Sequence, residues 1–78
     1  MRKPAVIADI PATRPKSIGA AKGLIARILQ EMPWDKDEQA RYFKLHGMEA
    51  RTPAELNENE VRQIIADMEA SRIINFAD

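Results

Sequence analysis

Cysteine is absent from this chain of 78 residues, histidine occurs once, and only one Trp, one Tyr and two Phe supply aromatic rings. Without thiols there is neither a disulfide nor a thiolate-held metal to reinforce a domain this small. The composition is compatible with a reducing cytoplasm. Long apolar runs are missing too, which excludes a membrane-spanning segment. The start, "MRKPAVIADIPAT", has basic residues but lacks the apolar core of a signal peptide. The expectation is a soluble cytoplasmic protein, in the host cytoplasm if phage-encoded. One small domain has a thin stability margin, so helix packing, oligomerisation or a partner must supply the support.

Net charge is lacking as well, with twelve basic and twelve acidic residues. Their distribution is uneven. Residues 1–30 carry Arg2, Lys3, Arg14, Lys16, Lys22 and Arg27 against Asp9 alone, a local charge of +5, and residues 31–78 carry −5. Such asymmetry either marks an interaction arm or is the uneven scatter of a small helical protein.

What is present is helical punctuation. Pro4, Pro11 and Pro15 hold the first fifteen residues extended or irregular. Within them "AVIADI" places Val6, Ile7 and Ile10 as a short strand, a strap across the helices, or an arm that orders on binding. From Ser17, an N-cap residue, the apolar positions Ile18, Ala21, Leu24, Ile25, Ile28, Leu29 and Met32 form one stripe. Pro33 ends that helix. Gly19 and Gly23, one turn apart, lower its propensity and permit close approach of another helix or of the strap. Asp35-Lys36-Asp37-Glu38 is a capping box, and Gly47 suits the left-handed position after a helix end. Ala40 and Phe43 face inward, Tyr42 and Leu45 widen that face, and Trp34 and Met48 fold over its two ends.

The next stretch, "RTPAELNENEVRQIIADMEA", starts a helix twice. Thr52-Pro53-Ala54-Glu55 is one start, with proline where its missing N–H costs nothing. Asn57 caps again with Glu60 three residues on, and Leu56 and Val61 are spaced as a hydrophobic staple. Val61, Ile64, Ile65 and Met68 then point inward, and the tail retains Ile74 and Phe76 for packing. The sequence therefore predicts an all-α fold: a small three-helix bundle with an extra short helical turn between the second and third helices. An extended N-terminal arm covers 1–15 and the helical domain 16–78, with helices over about 17–32, 35–46, 53–56 and 58–73.

Catalytic chemistry has few carriers. His46 reads as a helix-end residue and has neither HxxxH nor HxxE company for a metal. Ser17 and Ser71 lie in no nucleophile elbow. Asp35, Asp37 and Glu38 are explained by capping, and "SIGAAKG" departs from the P-loop order. The expectation is a non-enzyme without cofactor or metal. Binding remains. Arg14, Lys16, Lys22 and Arg27 are candidates for phosphate contact near the start of the first helix, although no aromatic platform for bases lies beside them. A helix-turn-helix over 35–72 would offer only Arg62, Gln63 and Arg72 as readers, within an acidic region. Trp34, Phe43, Met48 and Met68 read as core.

From Leu24 onward the order of features resembles a helical module of phage DNA-metabolism proteins, the Mu-type GemA regulatory family and the helical tails of some phage recombination proteins. The matching pieces are "LIARILQEMPWDKDEQ", "HGM" at 46–48 and "RTPAELNENEVRQII". His46 stands where that pattern has phenylalanine, Pro33 where it has a turn glycine, and Asn57 where it has threonine. The resemblance implies an accessory module for contact with protein, or weakly with DNA, and no catalytic residues. The leading expectation is a small phage-type adaptor or regulator that binds another protein through Val6, Ile7, Ile10, Lys22 and Arg27. The alternating arm would add to a sheet edge of the partner. A sharper form has it inhibiting a host nucleic-acid-processing or defence complex. The alternatives are a nucleic-acid-binding accessory protein using Arg14, Lys16, Lys22 and Arg27, and a structural homo-oligomer.

Overall fold

A computed structural model describes residues 8–77. The order is strand β1 (Ile10–Ala12), helix α1 (Ile18–Glu31), helix α2 (Lys36–Leu45), a 3-10 turn (Pro53–Glu55), helix α3 (Glu58–Ala70) and strand β2 (Ile74–Phe76). The chain is mostly helical with three α-helices, and it also holds a two-stranded parallel sheet that corrects the all-α expectation. None of the described helices is long and apolar enough to cross a membrane.

The helix starts follow the local chemistry. The side chains of Ser17, Asp35 and Asn57 accept the N–H groups of Ala20, Glu38 and Glu60 respectively. Glu38 and Glu60 close their boxes by accepting the N–H groups of Asp35 and Asn57 at 2.9 Å each. At the 3-10 turn Glu55 Oε1 instead collects donors from the Arg51 and Thr52 backbones and the Thr52 hydroxyl. That carboxylate fixes the turn, and Leu56 beyond it is buried.

Two of the helix ends share one device. After α2, Met48 N–H donates to Phe43 O at 3.1 Å and Gly47 N–H to Lys44 O at 2.9 Å. After α3, Ile73 N–H donates to Met68 O at 2.9 Å and Arg72 N–H to Glu69 O at 3.1 Å. Each pair is a Schellman motif, with Met48 and Ile73 buried over Phe43 and Met68. Gly47 takes the left-handed φ of 75° easily, whereas Arg72 is forced to 62°. The helix expected over 58–73 therefore stops at Ala70, and no glycine announces its end.

The turn at Arg72 sends the chain into β2. Ile10, Pro11 and Ala12 pair in parallel with Ile74, Asn75 and Phe76. Ile10, Ala12 and Ile74 are buried, and Pro11 and Asn75 are exposed, so the ribbon has one core face and one wet face. The arm expected over 1–15 thus becomes, at 10–12, part of the packed unit. Ile10 joins the core made by Ile25, Ile28, Phe43, Leu56, Val61, Ile64 and Met68. Val6 and Ile7 lie outside the described residues. Two further expectations are corrected. Leu45 is 78% exposed and does not widen the inner face of α2. A Cβ at Gly19 or Gly23 would meet nothing within 4 Å, so neither the strap nor another helix of the chain uses the space they leave.

Candidate functional site

The four-residue spacing on α2 puts Tyr42 and the C-cap residue His46 on one side, where their rings meet edge-on at 4.9 Å. Trp34, just before the Asp35 cap, brings its ring to 5.2 Å from Tyr42. Across from them, α3 carries Asp67 on its inner side between Ile64 and Met68. The Tyr42 hydroxyl donates to Asp67 Oδ2 at 2.5 Å, and His46 Nε2 lies 3.4 Å from the same oxygen. Burial, the hydrogen bond to Asp67 and the carboxylate's negative charge, in that order, push the Tyr42 hydroxyl far above its ordinary value near 10. Tyr42 is thereby held as a neutral donor and Asp67 as its acceptor. This constellation ties α2 to α3 and leaves the phenol a poor acid at neutral pH. Among the described residues no group of three or more His, Asp or Glu side chains is placed to hold a metal ion.

Outside this tie the apolar row continues to the surface. Leu45 follows Tyr42 by three residues, one turn on along α2, and Trp34 meets Tyr42 from before the helix start, so the three form a row through Tyr42. Trp34 and Tyr42 are half-buried and Leu45 is exposed. Arg41, one turn before Leu45, and Lys44 beside it are both exposed, and neither side chain has an ion-pair or hydrogen-bond partner among the described residues. The result is an apolar ridge bordered by cations.

The positions singled out in the basic third lie elsewhere and are mostly occupied. Arg14 donates to both oxygens of Glu69, at 2.8 and 3.4 Å, and its guanidinium lies 4.6 Å from the Phe76 ring centre. Lys22 donates to Ala54 O at 3.1 Å and ties α1 to the 3-10 turn. Arg27 donates to Glu31 and to Pro11 O, both at 3.0 Å, holding α1 to β1. Lys16 is exposed and has no such partner among the described residues. It borders an open groove of about 550 Å³ between the start of α1 and the outer side of α3, floored by Ile18, Ala21, Val61 and Ile65. The structure therefore brings Arg14 and Lys16 to that groove and keeps Lys22 and Arg27 apart from it.

Sequence reasoning missed Asp67 and the outward aim of Leu45. Asp67 was detectable as a carboxylate three residues after Ile64 and next to Met68, on the apolar side of α3. Leu45 carried no such signal, because at the last position of a helix the apolar period ceases to bind the side chain to the core. Comparison of the chain with protein-family models, with curated proteins and with solved structures finds no match.

Proposed function

We propose that the chain is a small adaptor or regulator of the phage type that its helical order resembles, and that it works by binding another protein. The observation that carries this reading is the ridge of Trp34, Tyr42 and Leu45, with Leu45 78% exposed and Arg41 and Lys44 uncommitted beside it among the described residues. A single exposed leucine is ordinary. A leucine that extends a half-buried aromatic row, with two cations at its border, suits an acidic segment that presents an apolar anchor. A host nucleic-acid-processing or defence complex that offers such a segment is the partner this reading favours. The basic third supports direct nucleic-acid contact less well, because Arg14, Lys22 and Arg27 each hold another part of their own chain.

The test is affinity capture from the native host with four full-length baits: wild type, Leu45→Glu, Arg41→Glu and Lys16→Glu. A protein held by wild type and Lys16→Glu, and lost with Leu45→Glu and Arg41→Glu at unchanged helicity, is the expected result. Loss with Lys16→Glu alone would move the contact to the groove beside α1 and overturn the assignment to α2.

A further inference from the structure

The attachment of β1 is unlike that of any other element. The Ile10 N–H donates to Ile73 O at 3.0 Å and the Ala77 N–H to Ala12 O at 3.3 Å. With the register Ile10↔Ile74, these bonds aim the backbone groups of Ile10 and Ala12 at β2 and those of Pro11 away from it. Pro11 has no N–H to offer on that outer edge, and its carbonyl is taken by Arg27. The outer edge of β1 is closed, so the strand cannot extend a partner's sheet while it stays seated. Val6 and Ile7, the other residues of the expected arm contact, lie outside the described residues.

The seat itself is held by few and mostly exposed ties. Asp9 and Arg72 clasp its start, through Asp9 N–H to Arg72 O at 2.9 Å and an exposed ion pair at 3.5 Å. The exposed Arg14–Glu69 pair at 2.8 Å closes its end. Exposed ion pairs add little to stability. Both clasp residues are left-handed without being glycine, at φ 47° for Asp9 and 62° for Arg72. Aspartate tolerates that conformation better than most residues with a Cβ, arginine less readily, and at Asp9 it is tied to the hydrogen bond that seats the strand. The link from β1 to α1, residues 13–17, has no regular structure, is largely exposed, and contains Pro15.

The apolar contact, by contrast, cannot be left open. Ile10 and Ala12 are each only 8% exposed, against Ile73 and Ile74. A vacated seat would expose those isoleucines, and the strand known to fit it is Ile10–Ala12 with Asp9 before it and Arg14 after it. A second copy carries the same strand with the same clasp and latch residues. We infer that β1 exchanges between two copies of this chain, Ile10–Ala12 of each pairing with Ile74–Phe76 of the other in a reciprocal dimer. The exchange uses no residue of the α2 ridge, so the two proposals stand or fall separately.

Because the chain has no cysteine, two substitutions test this without interference. Pro11 and Asn75 are register partners on the exposed face of the ribbon. Full-length Pro11→Cys and Asn75→Cys chains are mixed at high concentration, warmed below their unfolding transition, and oxidised. The double variant Pro11→Cys/Asn75→Cys is oxidised alone at high dilution. The expected result in the dilute double variant is an intrachain disulfide. In the mixture it is a disulfide-linked heterodimer of the two single variants, several-fold more abundant than either homodimer. Closure of the double variant with no excess of heterodimer overturns the exchange. Failure of the double variant to close overturns the register on which it rests.

Discussion

The two Schellman ends of this chain differ in one residue that matters, and the difference is measurable. Arg72 occupies the left-handed position that Gly47 occupies after α2, at φ 62° against 75°. A residue with a Cβ pays roughly 1–2 kcal/mol for that conformation. Arg72→Gly removes this strain and also removes the ion pair to Asp9. That pair is 3.5 Å long, with side chains 69% and 43% exposed, so screening leaves it at most a few tenths of the ~0–1 kcal/mol range of surface pairs. Glycine's greater backbone freedom in the unfolded chain takes back about 0.5 kcal/mol more, so the net expectation is a gain of about 0.5–1 kcal/mol, or roughly 2–8 °C in Tm for a domain of this size. Gly47→Ala runs the opposite way. Its Cβ meets no atom within 4 Å, so packing neither adds to nor offsets the backbone cost. A loss of about 1 kcal/mol and roughly 4–8 °C is expected. Thermal unfolding followed by far-ultraviolet circular dichroism, repeated in urea, measures both. Arg72→Ala is the control, since it deletes the ion pair but keeps the Cβ, and it should be neutral or slightly destabilising. If Arg72→Gly is no more stable than Arg72→Ala, strain at this turn is not the quantity that separates the two helix ends, and the reasoning fails.

Two further outcomes follow from the helix starts and the α2–α3 tie. Tyr42 ionises in the folded chain only well above the value near 10 it has when unfolded, so the folded state holds the extra proton. Its contribution is fully present below about pH 10 and is lost as pH rises beyond it. Tyr42→Phe should lower stability at neutral pH by about 1.5–3 kcal/mol, the worth of a hydrogen bond to a charged group, and should flatten the alkaline fall in Tm relative to wild type; a parallel fall in both chains would refute the assignment. Asn57→Ala should cost about 1 kcal/mol by opening the box that starts α3, whereas Thr52→Ala should cost less in the same urea titration, because Glu55 keeps its two backbone donors.

The parts of this fold that were legible in the sequence are those decided within a few residues. Ser17, Asp35 and Asn57 cap where side-chain oxygens meet N–H groups three positions on, and nothing distant competes with that geometry. The α1 stripe was legible because Ala21, Ile25, Ile28 and Leu29 repeat over a full fourteen-residue helix. Short and distant pairings were not. β1 is three residues long, contains a proline, and finds its partner roughly sixty positions away, so neither period nor turn chemistry marks it. The end of α3 was hidden for a related reason: its left-handed residue is an arginine, whose presence is decided by the Asp9 clasp and the β2 pairing that follow. The same division runs through the candidate contact residues. Lys22 and Arg27 looked available because their charges were visible and their acceptors, the Ala54 and Pro11 carbonyls, are backbone groups that every residue possesses. Charge in a sequence marks where a cation stands. Whether its side chain is free is settled by which acceptors the fold brings beside it, and here Lys22 and Arg27 are held by backbone carbonyls while the side chains of Arg41 and Lys44 on α2 have no such partner among the described residues.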